Sequence, residues 1–155
     1  MRIIGIDPGT ATTGFGVIDI ERGRTTFVDA GVITTPPTQP MPERLMTIHE
    51  ELTQVIAETR PDFASVELLY FSTNVTTGIT VGQARGVILL TLAEAGLPIA
   101  EYTPMQIKQA VTGYGGAKKP QIQEMVRMLL SLPVIPRPDD AADGLAIAIT
   151  HANTR

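Results

Sequence analysis

Four carboxylates in this 155-residue chain stand in sequence that otherwise reads as core. Asp7 ends the apolar run Ile-Gly-Ile-Asp-Pro-Gly, and Glu67 lies inside Phe-Ala-Ser-Val-Glu-Leu-Leu. Asp140 and Asp143 open the stretch Asp-Asp-Ala-Ala-Asp-Gly-Leu-Ala, where their i, i+3 spacing places both on one helix face with Cβ atoms about 5–6 Å apart. A carboxylate in apolar surroundings is costly unless it is protonated, paired or bound to a cation. Too few basic residues lie near these four in sequence to pair them all. Divalent cations with oxygen ligands are the remaining solution, and Mg²⁺ or Mn²⁺ suits an all-carboxylate set. Two such ions, about 3.5–4 Å apart, would serve phosphodiester hydrolysis, one activating a water and the other stabilising the leaving 3′-oxygen. Taken singly, Asp7-Pro-Gly is also a turn aspartate, and Asp139 or Asp140 a helix cap. Glu67 within an apolar strand and Asp143 beyond the capping positions have no such ordinary role, so the conjunction carries the reading.

These residues must be positioned by a sheet and its helices. Alternation predicts strands over Arg2–Asp7, Thr13–Ile20 and Thr25–Thr34, joined by short turns as an antiparallel meander. A proline-punctuated loop leads to a helix over Glu43–Glu58, with Leu45, Ile48, Leu52, Val55 and Ile56 on one face. A fourth strand is predicted at Phe63–Leu69, a long apolar helix at Thr76–Ala95 and a short strand at Pro98–Tyr102. Helices follow at Gln106–Val111, Gln121–Leu130 and Pro138–His151, the last opened by a proline and acidic residues. The result is one α/β domain over residues 1–155, a five-stranded mixed sheet flanked by helices. If the first and fourth strands are neighbours, Asp7 and Glu67 meet at adjacent strand ends and the final helix closes over them.

Composition narrows the chemistry further. No cysteine and only two histidines exclude a disulfide scaffold, a thiolate zinc site, a cysteine nucleophile and a multi-histidine metal cluster. His49 and His151 have no evident partner and read as structural. Apolar runs such as Val87–Leu90 are too short to span a bilayer, and no signal peptide is visible, so a cytoplasmic protein without a membrane partner is expected. The net charge of −4 hides an asymmetry. Residues 102–138 hold five basic side chains against Glu124, and all three lysines, Lys108, Lys118 and Lys119, fall there. One basic patch on an acidic body is the footprint of a nucleic-acid contact, or else a lysine-rich solvated face. Two bound Mg²⁺ would cancel the formal charge and remove the objection to a DNA substrate.

The motifs Gly5-Ile-Asp-Pro-Gly-Thr, Val66-Glu67, Gly82-Gln-Ala-Arg-Gly86, Gln106-Ile-Lys108-Gln and Asp140-Ala-Ala-Asp143 through His151 resemble those of the RuvC family of bacterial Holliday-junction resolvases, with matching spacings from residue 3 to about 151. The resemblance implies an RNase H-like fold and a homodimer that nicks four-way DNA junctions symmetrically with two Mg²⁺ per site, Mn²⁺ being a plausible substitute. It also implies docking on a branch-migration complex of RuvA and RuvB. The family's acidic ligands fall on Asp7, Glu67, Asp140 and Asp143, and its catalytic-region lysines on Lys108 and Lys119. The aromatic that stacks on a base near the junction falls on Tyr70, where many members have Phe, and Phe71 competes for the role. Arg85 and Lys118 are further expected DNA contacts, though Lys118 is equally an ordinary surface lysine. Gly82 and Gly86, at i and i+4, permit close packing; the family places a dimer interface there, while the chain's own sheet is the other partner available.

Three other readings stay open on sequence alone. Asp7-Pro-Gly-Thr with Thr13-Gly14 also resembles the phosphate-binding turn of the sugar-kinase, actin and Hsp70 superfamily, whose members need two lobes. A junction-binding module without catalysis and an RNA-directed RNase H-like enzyme are the others.

Overall fold

A computed structural model of the chain describes residues 1–68 and 75–154. The expected meander is present: β1 (Arg2–Asp7), β2 (Thr12–Glu21) and β3 (Arg24–Thr34) pair antiparallel in chain order. β4 (Phe63–Glu67) lies parallel to β1 on its other side, and β5 (Ile99–Tyr102) lies parallel to β4. The five-stranded mixed sheet therefore runs β3-β2-β1-β4-β5. Helices α1 (Met41–Thr59) and α2 (Val75–Glu94) cover one face. Helices α3 (Pro104–Thr112), α4 (Lys119–Leu129) and α5 (Asp139–Thr154) cover the other.

The period of two along each strand decides which side chain meets which helix layer. In β1, Ile4 and Ile6 join Val17, Val66, Leu52 and Ile88 in the core beneath α1 and α2. Ile3 belongs to the opposite core with Ile18, Leu145 and Ile149, so Gly5 and Asp7 also face α5. In β4 the same parity sends Ser65 toward α5, where its hydroxyl donates to the Ile147 carbonyl at 2.9 Å, and Glu67 follows on that side.

Helix α5 lies on the sheet closer than ordinary side chains would allow. A Cβ on Gly5 would come within 2.2 Å of the Gly144 carbonyl oxygen, one on Gly16 within 2.4 Å of the Leu145 nitrogen, and one on Gly14 within 1.9 Å of the Asp140 carbonyl oxygen. Gly144 answers from the helix, where a Cβ would meet the Phe15 carbonyl carbon at 2.4 Å. Backbone thus packs on backbone, which brings the first turn of α5 down onto the end of β1.

The element boundaries differ from the sequence expectation at instructive places. β4 stops at Glu67 rather than Leu69, so the glutamate ends its strand as Asp7 ends β1. α3 begins at Pro104 rather than Gln106, because Thr103 and Gln106 form a reciprocal capping box. α4 begins at Lys119, and α5 runs to Thr154. The short apolar runs also conceal the character of α2, which by length and composition alone is apolar enough to cross a membrane. In the fold it is a helix of the domain, with Ala84, Ile88 and Leu92 in the core against the sheet.

Candidate active site

The parallel pairing of β1 and β4, with Ile6 opposite Val66, leaves Asp7 and Glu67 side by side at the carboxyl edge of the sheet. The glycine-mediated seating of α5 supplies Asp140 and Asp143 from above. Carboxylate oxygens of Asp7, Asp140 and Asp143 all lie within 4.8 Å of one another. Glu67 adjoins this triad through Asp7, whose carboxyl donates a hydrogen bond to it and another to Asp143.

The electrostatics show what the cluster lacks. Burial, reinforced by Glu67, Asp143 and Asp140, pushes the Asp7 carboxyl up to about 9. Burial also raises Glu67, against the opposing hydrogen bond from Asp7 and the nearby Lys108 and Lys119. Asp143 is raised by burial, with Lys119 pulling the other way. The centre therefore retains a proton at neutral pH for want of positive charge. A divalent cation would take that proton's place. The donor set, all carboxylate oxygen at ligand spacing, fits a hard cation.

Lys119, the first residue of α4, reaches the rim: its Nζ is 3.5 Å from Asp143 and 3.9 Å from Asp139. Burial lowers its pKa, but Asp143, Asp139 and Asp140 outweigh that and leave it raised. Lys108, on α3, shares with Lys118, Lys119, Glu67 and Asp143 the lining of a cleft of about 460 Å³ that opens beside the acidic centre. One wall is acidic and the other cationic, which suits a phosphodiester held by lysines while its reacting phosphorus meets the carboxylate centre.

Not every residue singled out in the sequence converges here. Arg85 turns its side chain, 14% exposed, to an ion pair with Glu101 of β5. Tyr70 and Phe71 lie outside the described residues. Gly113 closes α3 in the left-handed region, φ 79°, while Gly116 lines the cleft. His151 stacks on Phe63 at 3.9 Å between centroids and meets the Tyr102 hydroxyl at 2.7 Å, and His49 Nδ1 meets the Thr91 hydroxyl at 2.8 Å. Sequence reasoning left Asp139 as a cap or bystander; it lies between Lys119 and Arg137, the latter at 3.6 Å. It also missed the part played by Gly5, Gly14, Gly16 and Gly144, whose signal was small residues at alternate strand positions opposite a glycine in a helix.

Comparison with known proteins agrees with this geometry. The family model described as crossover junction endodeoxyribonuclease RuvC matches residues 3–151. A Chloroflexus aurantiacus protein named crossover junction endodeoxyribonuclease RuvC is 58% identical over 154 residues, covering 99% of this chain and 94% of that one. A Brevibacillus brevis protein of the same name is 57% identical over 155 residues, covering 100% of this chain and 93% of that one. Among solved structures, Thermus thermophilus RuvC in complex with a Holliday junction substrate superposes with a TM-score of 0.94 at 39% identity, covering 99% and 93% of the two chains. The architecture is that of the RNase H-like fold.

Proposed function

The chain belongs to the RuvC family of crossover junction endodeoxyribonucleases, and on that premise we propose that it resolves Holliday junctions by paired symmetric nicks, in DNA recombination and repair. The observation that carries the chemistry is the convergence of Asp7, Asp140 and Asp143 beside Glu67 on the edge of a lysine-lined cleft. Those four carboxylates hold two Mg²⁺ in this reading, with Mn²⁺ as a substitute. When bound, the cations supply the positive charge that acidifies the attacking water and steadies the leaving 3′-oxygen.

The protein's own groups do the rest. Asp7 and Glu67 are fixed by paired strands, and Asp140 and Asp143 by a helix that cannot slide on its glycine seat, so the centre is organised before substrate arrives. Lys119 and Lys108 hold the phosphate and offset the charge that grows on it. Lys118 and the aromatic pair Tyr70 and Phe71 belong to the same proposed DNA face, as does Arg85 once released from Glu101. Hydrolysis proceeds in line and leaves 5′-phosphate and 3′-hydroxyl ends. A pure binding module would gain nothing from four clustered negative charges facing phosphates.

Pairing of the cuts calls for two sites related by two-fold symmetry, which a homodimer provides. Helix α2 supports this, since Val75, Ile79 and Leu90 are 75%, 58% and 59% exposed. RuvA and RuvB are the proposed partners on the junction, and the cytoplasm the proposed place of action. The deciding experiment incubates an end-labelled four-way junction and its matched linear duplex with the protein, in Mg²⁺ or in EDTA. Paired nicks in opposing strands of the junction alone, abolished by EDTA, are expected. Binding without cutting in both Mg²⁺ and Mn²⁺ would leave a binding module, and cleavage of an RNA–DNA hybrid in preference would make it an RNase H-like enzyme of another kind.

A further inference from the structure

A half-buried arginine with no acidic partner stands at the catalytic end of the sheet, and nothing above uses it. Arg44 is the fourth residue of α1. Its Nε donates to the Thr35 hydroxyl at 2.9 Å and its Nη2 to the Thr35 carbonyl at 3.4 Å. Thr35, only 3% exposed, also grips the turn by which the chain leaves Asp7. Its hydroxyl donates to the Thr10 carbonyl at 2.6 Å, and its N–H to the Ala11 carbonyl at 3.0 Å. One threonine therefore fixes both the turn after a proposed metal ligand and the direction of a guanidinium.

Three features make this arginine more than a brace. Among the described residues, no carboxylate pairs with it, whereas Arg2, Arg85, Arg127 and Arg137 each have one. A cation so near the N-terminus of a 19-residue helix adds to the positive end of the helix dipole rather than offsetting it. Of the three buried side-chain polar atoms without a partner among the described residues, two flank the brace: Thr10 Oγ1 in the turn and Gln39 Oε1 in the loop entering α1. Buried polar atoms are ordinarily satisfied, so a pair of orphans beside an uncompensated guanidinium indicates a missing polar ligand. That ligand is an anion with several oxygens. The Thr10 hydroxyl can donate to it, the Gln39 amide can after half a turn, and the free edge of the guanidinium matches its geometry.

We propose that Arg44, aimed by Thr35, binds a phosphodiester of the substrate DNA backbone at a second point beside the metal centre, on the α1 side of the sheet. The inference rests on the DNA-junction reading and adds to it a contact outside the lysine cleft. A phosphate there also pulls, through Thr35, on the turn that carries Asp7.

The test measures junction affinity in EDTA, which prevents cutting, across a series of NaCl concentrations. Each phosphate contact contributes about 0.9 to the slope of log affinity against log salt. Arg44→Gln keeps a donor for Thr35 and a similar length while removing the charge. It is expected to bind roughly 3- to 10-fold more weakly, with a slope shallower by about 0.9. Arg44→Lys, which keeps the charge and loses the fork, is expected to retain the wild-type slope at reduced affinity. An unchanged slope in Arg44→Gln overturns the proposal whatever happens to its melting temperature, since a structural brace alone would move stability and leave counterion release untouched. If Arg44→Gln does not fold, a wild-type slope in Arg44→Ala, or a shallower one in Arg44→Lys, overturns it equally. Wild-type protein that shows no preference for the junction over duplex brings down the underlying reading instead, and this contact with it.

Discussion

Asp7 and Asp140 sit in one cluster but should fail differently when altered. The folded chain keeps a proton on Asp7 up to about 9, against an ordinary carboxylate value of 3.8. Across that interval the native state binds more protons than the unfolded one, so without metal its stability falls as pH rises. Asp7→Asn removes this penalty. Thermal melts in EDTA should show the variant more stable than wild type at pH 8 by about 1–2 kcal/mol, or several degrees, with the gap closing toward pH 5. Adding Mg²⁺ should raise the wild-type midpoint and move the variant much less. A variant that melts lower than wild type at pH 8 would mean that the carboxyl is satisfied without a cation. Asp140→Asn removes a negative group while leaving Lys108, Lys118 and Lys119 in place. Cleavage should be lost, and gel-shift affinity for the junction should hold or tighten. Loss of binding together with cleavage would refute that division between carboxylates and lysines. Lys119→Ala should do the reverse in part, weakening binding and slowing cutting, because its ammonium, 3.5 Å from Asp143, lies where a phosphate would enter.

The seating of α5 governs whether these residues meet at all. With the Asp140 carbonyl only 1.9 Å from where a Gly14 Cβ would stand, Gly14→Ala must lift the helix or twist β2. Overpacking of this kind costs about 1–3 kcal/mol in stability. A shift of even 1 Å at the first turn of α5 would spread the carboxylates beyond shared ligation. Activity should therefore fall by at least two orders of magnitude while circular dichroism still reports a folded protein. Near-wild-type cleavage would show that the site tolerates the displacement. This element-level constraint was only half legible in the sequence. Four carboxylates in apolar runs announce themselves by their cost, and alternation placed Asp7 and Glu67 at strand ends. The meander and the two crossovers were equally readable, because turns and helical periodicity are local signals. Contacts between a strand and a helix some 130 residues later are not local, so Gly14 and Gly16 read as weak strand residues instead of a seat. The start of α3 was missed for a similar reason: the Thr103–Gln106 box draws Pro104 and Met105 into the helix, whereas hydrophobic spacing alone begins at Gln106.

At the scale of the whole molecule, the unexplained feature is the outward face of α2. Ile79, Gln83, Gly86 and Leu90 recur at helical spacing along an exposed stripe, and Met46 of α1 is 60% exposed. Within the single chain Gly86 has no packing reason to be glycine, since a Cβ there would meet nothing within 4 Å. Glycine in a helix interior costs about 1 kcal/mol relative to alanine, so its presence on an open apolar face makes sense where another backbone comes close. The sequence left Gly82 and Gly86 divided between the chain's own sheet and a second subunit; the open space at Gly86 favours the second subunit. A four-way junction has approximate two-fold symmetry, and two identical sites across a C₂ interface would reach related strands. Ile79→Glu combined with Leu90→Glu places like charges in that interface without touching the carboxylate centre or the lysine cleft. Sedimentation should show the mass halved, and the thermal midpoint of the monomer should lie below that of wild type, because association no longer adds to stability. On a junction held in a supercoiled plasmid, wild type should linearise the circle in one encounter, whereas the variant should accumulate nicked circles whose second cut comes late and independently. A double variant that stays dimeric, or a monomer that still makes its two cuts together, would separate the pairing of cuts from α2 and require another surface to bring the sites together.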